Sequence, residues 1–196
     1  MANFLGEAGL DLLFRNARTR NGWQDKPVDM ATLHQLWDIL KWAPTSFNCQ
    51  PARFVFLQSA EAKERLKPHL TPSNVAKTMQ APVCAIVAFD TRFHEFLPEN
   101  FPAYNAKPMF DANPALTDAT ARRNGSLQGA YLIIAARALG LDCGPMSGFN
   151  NDAVDKEFFP DGRWKSNFLC NIGYGTDENL YPRNRRHEFD EACRVL

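Results

Sequence analysis

The chain has 196 residues, enough for one domain with a substantial core and short for two. Hydrophobic residues make up 45% and charged residues 22%, which excludes a largely disordered chain. Lys and Arg number 22 and Asp and Glu number 22, so no net field draws the chain to nucleic acid or to an anionic membrane.

The N-terminus, MANFLGEAGLDLLFRNARTR, lacks a basic start followed by an apolar run and a small-residue cleavage site, so it does not read as a signal peptide. No apolar stretch approaches the roughly 18 residues that span a bilayer. A cytoplasmic protein is expected. Cys49, Cys84, Cys143, Cys170 and Cys193 are odd in number and scattered, with no C-x-x-C pair. They read as buried thiols in a reducing compartment rather than as a disulfide framework. The four histidines (His34, His69, His94, His187) stand apart, and no metal site is expected. Of these, only His94 lies in a stretch that could approach a substrate.

In chain order, Leu5 to Arg15 carries Leu5, Leu10, Leu13 and Phe14 at helical spacing. A turn is expected at Asn21-Gly22. Asp29 then caps a second helix with Leu33, Leu36, Trp37 and Leu40 on one stripe. Pro44 ends it, and Pro44 to Pro51 is a loop. Arg53 to Gln58 reads as a strand and Ala60 to Lys67 as a short charged helix. Pro82 to Phe89 is a continuous apolar run, as in a strand covered on both faces. Phe93 to Pro114 is rich in aromatic residues and proline without a clean period, and reads as a lid or small insertion. Ala119 to Leu139 is the longest helix, with Leu127, Tyr131, Ile134 and Ala138 on its buried side and Gly140 as its stop. Asp152 to Phe159 follows as a short helix and Phe168 to Tyr174 as a third apolar strand. The tail from Arg183 is basic and then amphipathic. Strands alternating with helices give a single α/β or α+β sandwich over residues 1–196.

Four segments carry chemistry. Arg18-Thr19-Arg20-Asn21 places two guanidinium groups, a hydroxyl and an amide together, as a phosphate requires, although solvated arginines at a helix end account for it as simply. Thr45, Ser46, Asn48 and Gln50, framed by Pro44 and Pro51, offer donors and acceptors to the edge of a flat polar ring; an ordinary turn is the alternative. In Gly144-Pro145-Met146-Ser147-Gly148-Phe149, two glycines let backbone approach a ligand. This is neither G-x-S-x-G nor G-x-G-x-x-G, so no hydrolase nucleophile or dinucleotide fold follows. Arg183-Asn184-Arg185-Arg186 is either a solvated charge run or a second group of phosphate ligands.

The order R-[ST]-x-[RN], A-P-[ST]-x-x-N-x-Q-P, G-P-x-x-G-F and a basic tail resembles the nitroreductase family over nearly the whole chain. The stretches ARTRNGW (17–23), KWAPTSFNCQPARFVF (41–56), ALGLDCGPMSGF (138–149) and NIGYG (171–175) are most similar to its malonic semialdehyde reductase branch, which serves pyrimidine degradation. The resemblance implies an α+β fold, a three-layer α/β/α sandwich with a central, mostly antiparallel sheet and FMN at a homodimer interface. Arg18 and Arg20 are then phosphate ligands, helped by Arg186 and Arg183, and Thr19 and Asn21 bind the cofactor beside them, Asn21 standing where a second arginine is usual. Pro44, Thr45, Ser46, Asn48 and Gln50 reach the flavin from the partner chain. Asn74, with Lys77 one helical turn on, meets the pyrimidine edge of the ring; a helix cap and a solvated lysine are the alternatives. Pro145, Met146, Ser147 and Gly148 lie beside the ring, the last two next to flavin N5, and Ser147 stands where many relatives have an acid. The implied activity is hydride transfer from NADPH or NADH through FMN to a small acceptor. Malonic semialdehyde, giving 3-hydroxypropionate, leads; a nitroaromatic or quinone is the alternative. A flavin-binding or redox-sensing protein without turnover is a third reading.

Overall fold

A computed structural model gives the structure of the chain and describes residues 4–196. Residues 1–3, part of the segment read above for a targeting signal, lie outside the described residues. Four strands form one antiparallel sheet in the order β2-β3-β5-β4: β2 (Ala52–Leu57), β3 (Val83–Asp90), β4 (Asp142–Met146) and β5 (Trp164–Gly173). All eight residues of β3 are buried, as its unbroken apolar run predicts. Val83, Ala85 and Val87 face one side, with helices α2 (Met30–Leu40) and α7 (Pro114–Ala138). Cys84, Ile86 and Ala88 face the other, with α3 (Ala60–Leu66), α4 (Pro72–Gln80) and α8 (Asn151–Phe158). The expected α/β/α layering of an α+β fold is therefore present.

Local chemistry sets the element ends. Asp29 accepts the Thr32 N–H at 2.7 Å and starts α2. Asn113 caps α7, and Pro114 occupies its first turn, so this helix begins five residues before the predicted Ala119. Gly140, at φ 74°, ends it.

Several expectations change. The Asn21-Gly22 turn is instead part of a two-residue strand, β1 (Gly22–Trp23), paired with β6 (Gly175–Thr176). The first helix is α1 (Glu7–Leu10), widening into a π-type turn over Asp11–Arg15, and Leu5 and Phe14 stay exposed. Trp37 also lies outside the core of α2. The buried face of α7 is not the predicted one: Leu127, Tyr131 and Ala138 are exposed and Ile134 is half-buried. The inner face carries Gly125, Gly129, Leu132, Ala135 and Ala136. Helix and sheet approach so closely there that a Cβ on Gly129 would stand 2.5 Å from the Phe168 ring. Cys193 is exposed, unlike the other four cysteines.

Residues 93–114 fold as a 3-10 turn (Phe93–Phe96) and two short helices, α5 (Leu97–Asn100) and α6 (Lys107–Asp111). This insertion has its own small core of Phe93, Leu97, Ala106 and Phe110, against which Phe47 packs. The tail is irregular after β6 until α9 (Phe189–Ala192).

Candidate functional site

The segment 17–23 is sewn to β4. Thr19 bridges Cys143, and the Arg20 N–H donates to the Cys143 carbonyl at 3.0 Å. Gly144 makes the approach possible, because a Cβ there would stand 2.7 Å from the Arg20 carbonyl. Thus held, Arg18 faces a cavity of about 480 Å³ whose walls include Thr19, Asn21, Arg137, Arg183 and Arg186 and no carboxylate. The Arg18 guanidinium donates to the Tyr181 carbonyl, and Arg183 donates to the Arg15 and Ala17 carbonyls. Arg137 donates to the Leu13 carbonyl and Arg186 to that of Asn184, both at 2.9 Å. Among the described residues, none of these four cations forms an ion pair, so their charge is uncompensated. Convergent guanidinium groups without an acid are the donor set of a phosphate.

Arg20 behaves differently. Its guanidinium is neutralised by Asp142 (3.3 Å) and Asp177 and donates to the Thr176 carbonyl. It fastens β6 and the tail, and it is not among the cavity walls.

Asn21 links this cavity to α4. Its Oδ1 accepts the Lys77 ammonium at 3.3 Å. Burial pushes the Lys77 pKa below the ordinary lysine value, and no acid holds it up. One turn earlier, Asn74 is buried and donates to the Gly148 carbonyl at 2.8 Å. The Thr71 N–H and hydroxyl donate to the same oxygen at 3.0 and 2.9 Å. A Cβ at Gly148 would stand 2.6 Å from both side chains, so any larger residue would push their polar ends aside. The Gly148 N–H has no acceptor among the described residues. Ser147 is exposed beside it at the end of β4, whereas the Met146 sulfur turns inward to accept the Thr78 hydroxyl and Pro145 is half-buried. Arg18, Thr19, Asn21, Arg183 and Arg186 thus line one cavity, and the hydrogen bond between Lys77 and Asn21 and, one turn of α4 away, that between Asn74 and Gly148 run on from it, with Ser147 adjacent in sequence. Sequence reasoning missed two residues of this site. Arg137 is the basic residue of the last turn of α7, and Thr71 precedes the proline that opens α4.

Pro44–Gln50 does not join that site within one chain. The loop enters β2 beside the Asp90 end of β3, where the Asp90 N–H donates to Pro51. The arginine segment sits near the Val83 end, beyond Ile172 and Cys143. The eight residues of β3 separate the two by roughly 20 Å. The loop is internally bonded: the Ser46 N–H donates to Asn124 Oδ1 (2.9 Å), and Thr45 Oγ1 accepts the Gln50 N–H (3.1 Å). Asn48 Nδ2 donates to the Asn100 carbonyl (2.9 Å), and Gln50 Nε2 to Asn48 Oδ1 (3.1 Å). Phe47, Asn48 and Gln50 hold φ of 51°, 50° and 41°, in the left-handed region that costs an L-residue roughly 1–2 kcal/mol each. His94 is engaged by Asp111 (3.3 Å) inside the insertion. Among the described residues, no group of three or more His, Cys, Asp or Glu side chains is arranged to hold a metal ion, and no helix is long and apolar enough to cross a membrane.

The profile of the nitroreductase family matches residues 15–174. A protein of Rhodopseudomonas palustris is 60% identical over the full length of both chains, and one of Polynucleobacter asymbioticus 55% over the same span. Both carry the provisional name NADH dehydrogenase/NAD(P)H nitroreductase. Among solved structures, a Bacillus subtilis protein provisionally called a nitroreductase superposes with TM-score 0.86 at 20% identity, covering 97% of this chain and 100% of its own. One from Exiguobacterium sibiricum, solved in complex with FMN, gives 0.84 at 20% identity with full coverage of both. With the profile spanning more than half of its length and full-length relatives well above half identical, the chain belongs to the nitroreductase family.

Proposed function

We propose that this chain is a cytoplasmic, FMN-dependent NAD(P)H oxidoreductase that works as a homodimer. The observation that carries the reading is the acid-free, four-arginine cavity joined through Asn21, Lys77 and Asn74 to the unpartnered Gly148 N–H. Arg18, Arg183 and Arg186, with Arg137, would hold the phosphate. Lys77 and Asn74 would donate to the pyrimidine edge of the ring, where negative charge gathers on reduction. Ser147 and Gly148 would face the redox-active side. The bound FMN would supply hydride chemistry, taking hydride from NAD(P)H and passing it to a second substrate in two half-reactions that share one pocket. Lowered lysine basicity suits Lys77 to a tunable donor in that place, and burial of Asn74 keeps its amide aimed. The names of the relatives and the FMN complex of the Exiguobacterium sibiricum protein support the assignment.

Two observations support the dimer. Leu127 (47% exposed) and Tyr131 (38%) lie bare on the outer face of α7. The Pro44–Gln50 loop lies too far from the arginine cavity of its own chain to share a ligand with it, whereas a second copy can bring the two together. Pro44, Thr45, Ser46, Asn48 and Gln50 would then act across the interface.

For the acceptor, we propose malonic semialdehyde, reduced to 3-hydroxypropionate, on the likeness of residues 17–23, 41–56, 138–149 and 171–175. Its carbonyl oxygen needs a proton or strong donor, which the exposed Ser147 or Tyr104 hydroxyl, or a hydroxyl of the cofactor, would supply. The aromatic insertion favours a second reading, a flat nitro or quinone acceptor. The purified protein, or the protein mixed with FMN, is expected to be yellow and dimeric. Pre-reduced protein, mixed anaerobically with malonic semialdehyde, is expected to reoxidise. Reoxidation by quinones or nitroaromatics alone would favour the second reading, failure of NAD(P)H with every acceptor a non-catalytic flavin protein, and a colourless monomer would end the proposal.

A further inference from the structure

The residue of the Pro44–Gln50 loop that points away from the polar groups carries the least suitable backbone. Asn tolerates the left-handed region, but Phe47 is bulky and still sits at φ 51° and ψ 27°. The insertion holds it there. Its ring meets Phe101 at 5.6 Å, Tyr104 at 6.1 Å and Phe110 at 6.2 Å between centroids. On either side of it, Ser46 is pinned through its N–H to Asn124 of α7, and Asn48 through its amide to the Asn100 carbonyl at the end of α5, on the same insertion that seats the ring. The loop is therefore clamped between α7 and the insertion, with Phe47 as its apolar anchor on the insertion side and the Asn48 amide bond beside it.

Resting on the flavin reading above, we infer that Phe47 is a positioning residue: its ring, seated in the 93–114 insertion, fixes the left-handed loop that presents Thr45, Asn48 and Gln50 to the flavin ring of the partner chain. The insertion thereby acts as the support of the ring-binding loop, and motion of one reaches the other. The contact is with the ring end of the cofactor and not its phosphate, which gives the inference its own signature. Losing the anchor weakens FMN and riboflavin by the same factor, because both carry the ring and only FMN carries the phosphate.

The test compares wild type with Phe47→Ala, Phe47→Gly and Phe47→Leu. Dissociation constants for FMN and riboflavin are read by flavin fluorescence, with the absorption band shape of the bound flavin and the unfolding midpoint of the flavin-free protein alongside. Phe47→Ala and Phe47→Gly are expected to weaken both flavins about tenfold or more, with an unchanged FMN-to-riboflavin ratio and an altered band shape. Phe47→Leu, which keeps an apolar anchor, is expected to restore most of the affinity. Phe47→Gly separates anchor from strain, since it frees the backbone yet removes the ring. Wild-type affinity and band shape in both Phe47→Ala and Phe47→Gly would overturn the inference and leave the flavin assignment standing. Loss of affinity in step with a fallen unfolding midpoint and with an unchanged band shape would reduce Phe47 to a packing residue and overturn it too. Failure of the wild type to bind either flavin would instead end the flavin reading.

Discussion

Replacing Arg18 by alanine removes one of the four guanidinium groups that face the acid-free cavity. In the flavin-free chain this group donates to the Tyr181 carbonyl and has no acidic partner, so little of its charge is already spent on the fold. A charge-assisted hydrogen bond is worth about 1.5–3 kcal/mol. At about 1.4 kcal/mol per tenfold, that corresponds to FMN binding roughly 10- to 100-fold weaker. Riboflavin lacks the phosphate, and its affinity is expected to stay within about twofold. The neighbouring Arg20→Ala is the contrast. That guanidinium is held by Asp142 and Asp177, so its loss is expected to lower the unfolding midpoint more than it changes the FMN-to-riboflavin ratio. Titration of each flavin-free variant with both flavins, followed by fluorescence, reads the ratio directly. An Arg18→Ala protein with the wild-type ratio would refute the assignment of the cavity to the phosphate.

Three further outcomes are expected. Gly129→Ala puts a Cβ 2.5 Å from the Phe168 ring and 3.2 Å from Val87, and overpacking of that kind costs about 1–3 kcal/mol, a fall of several degrees in the thermal midpoint; an unchanged midpoint would show that α7 can lift off the sheet freely. Leu127→Glu places a charge on the exposed outer face of α7 and is expected to give monomers by light scattering with FMN affinity reduced, whereas an intact dimer would move the interface elsewhere. Lys63 is buried, donates to the Met79 and Ala81 carbonyls, and has its pKa pushed down by that burial. The unfolded chain keeps this proton to higher pH than the folded one, so stability rises as pH climbs through the folded value and levels off near the ordinary lysine pKa of about 10.4. The midpoint of wild type relative to Lys63→Met is therefore expected to increase in that alkaline window, and a decrease would contradict it.

Much of this architecture is legible in the sequence where a local signal and the tertiary environment agree. The unbroken run of β3 announces a strand covered twice, and Asp29 and Gly140 mark helix ends through their own backbone chemistry. Strand β4 escapes notice because Gly144 and Pro145 are poor strand formers, tolerated here at the edge of the sheet. The inner face of α7 is misread because size is a misleading guide there. Glycines and alanines face the sheet because it lies so near, and the large residues are left outside. The two arginines of the first segment look equivalent in the sequence, yet one is neutralised by Asp142 and Asp177, 122 and 157 residues away, and the other is not. Arg137 joins the cavity for a similar reason, from a helix with no motif of its own. The order of the four segments carries the family. Which of their side chains share a space is written only in the sheet register.

The arginine cavity joins two stretches far apart in sequence: Arg18 grips the backbone at Tyr181, and Arg183 grips it at Arg15 and Ala17. Whatever settles between those arginines acts as a rivet closing the chain into a loop. Its occupancy and the pairing of residues 15–18 with 181–183 are then one equilibrium. Mass action gives a hundredfold excess of ligand over its dissociation constant about 2.7 kcal/mol of extra stability. Breaking the hold of residues 181–183 on residues 15–18 would loosen the ligand without altering a single group that touches its reactive part.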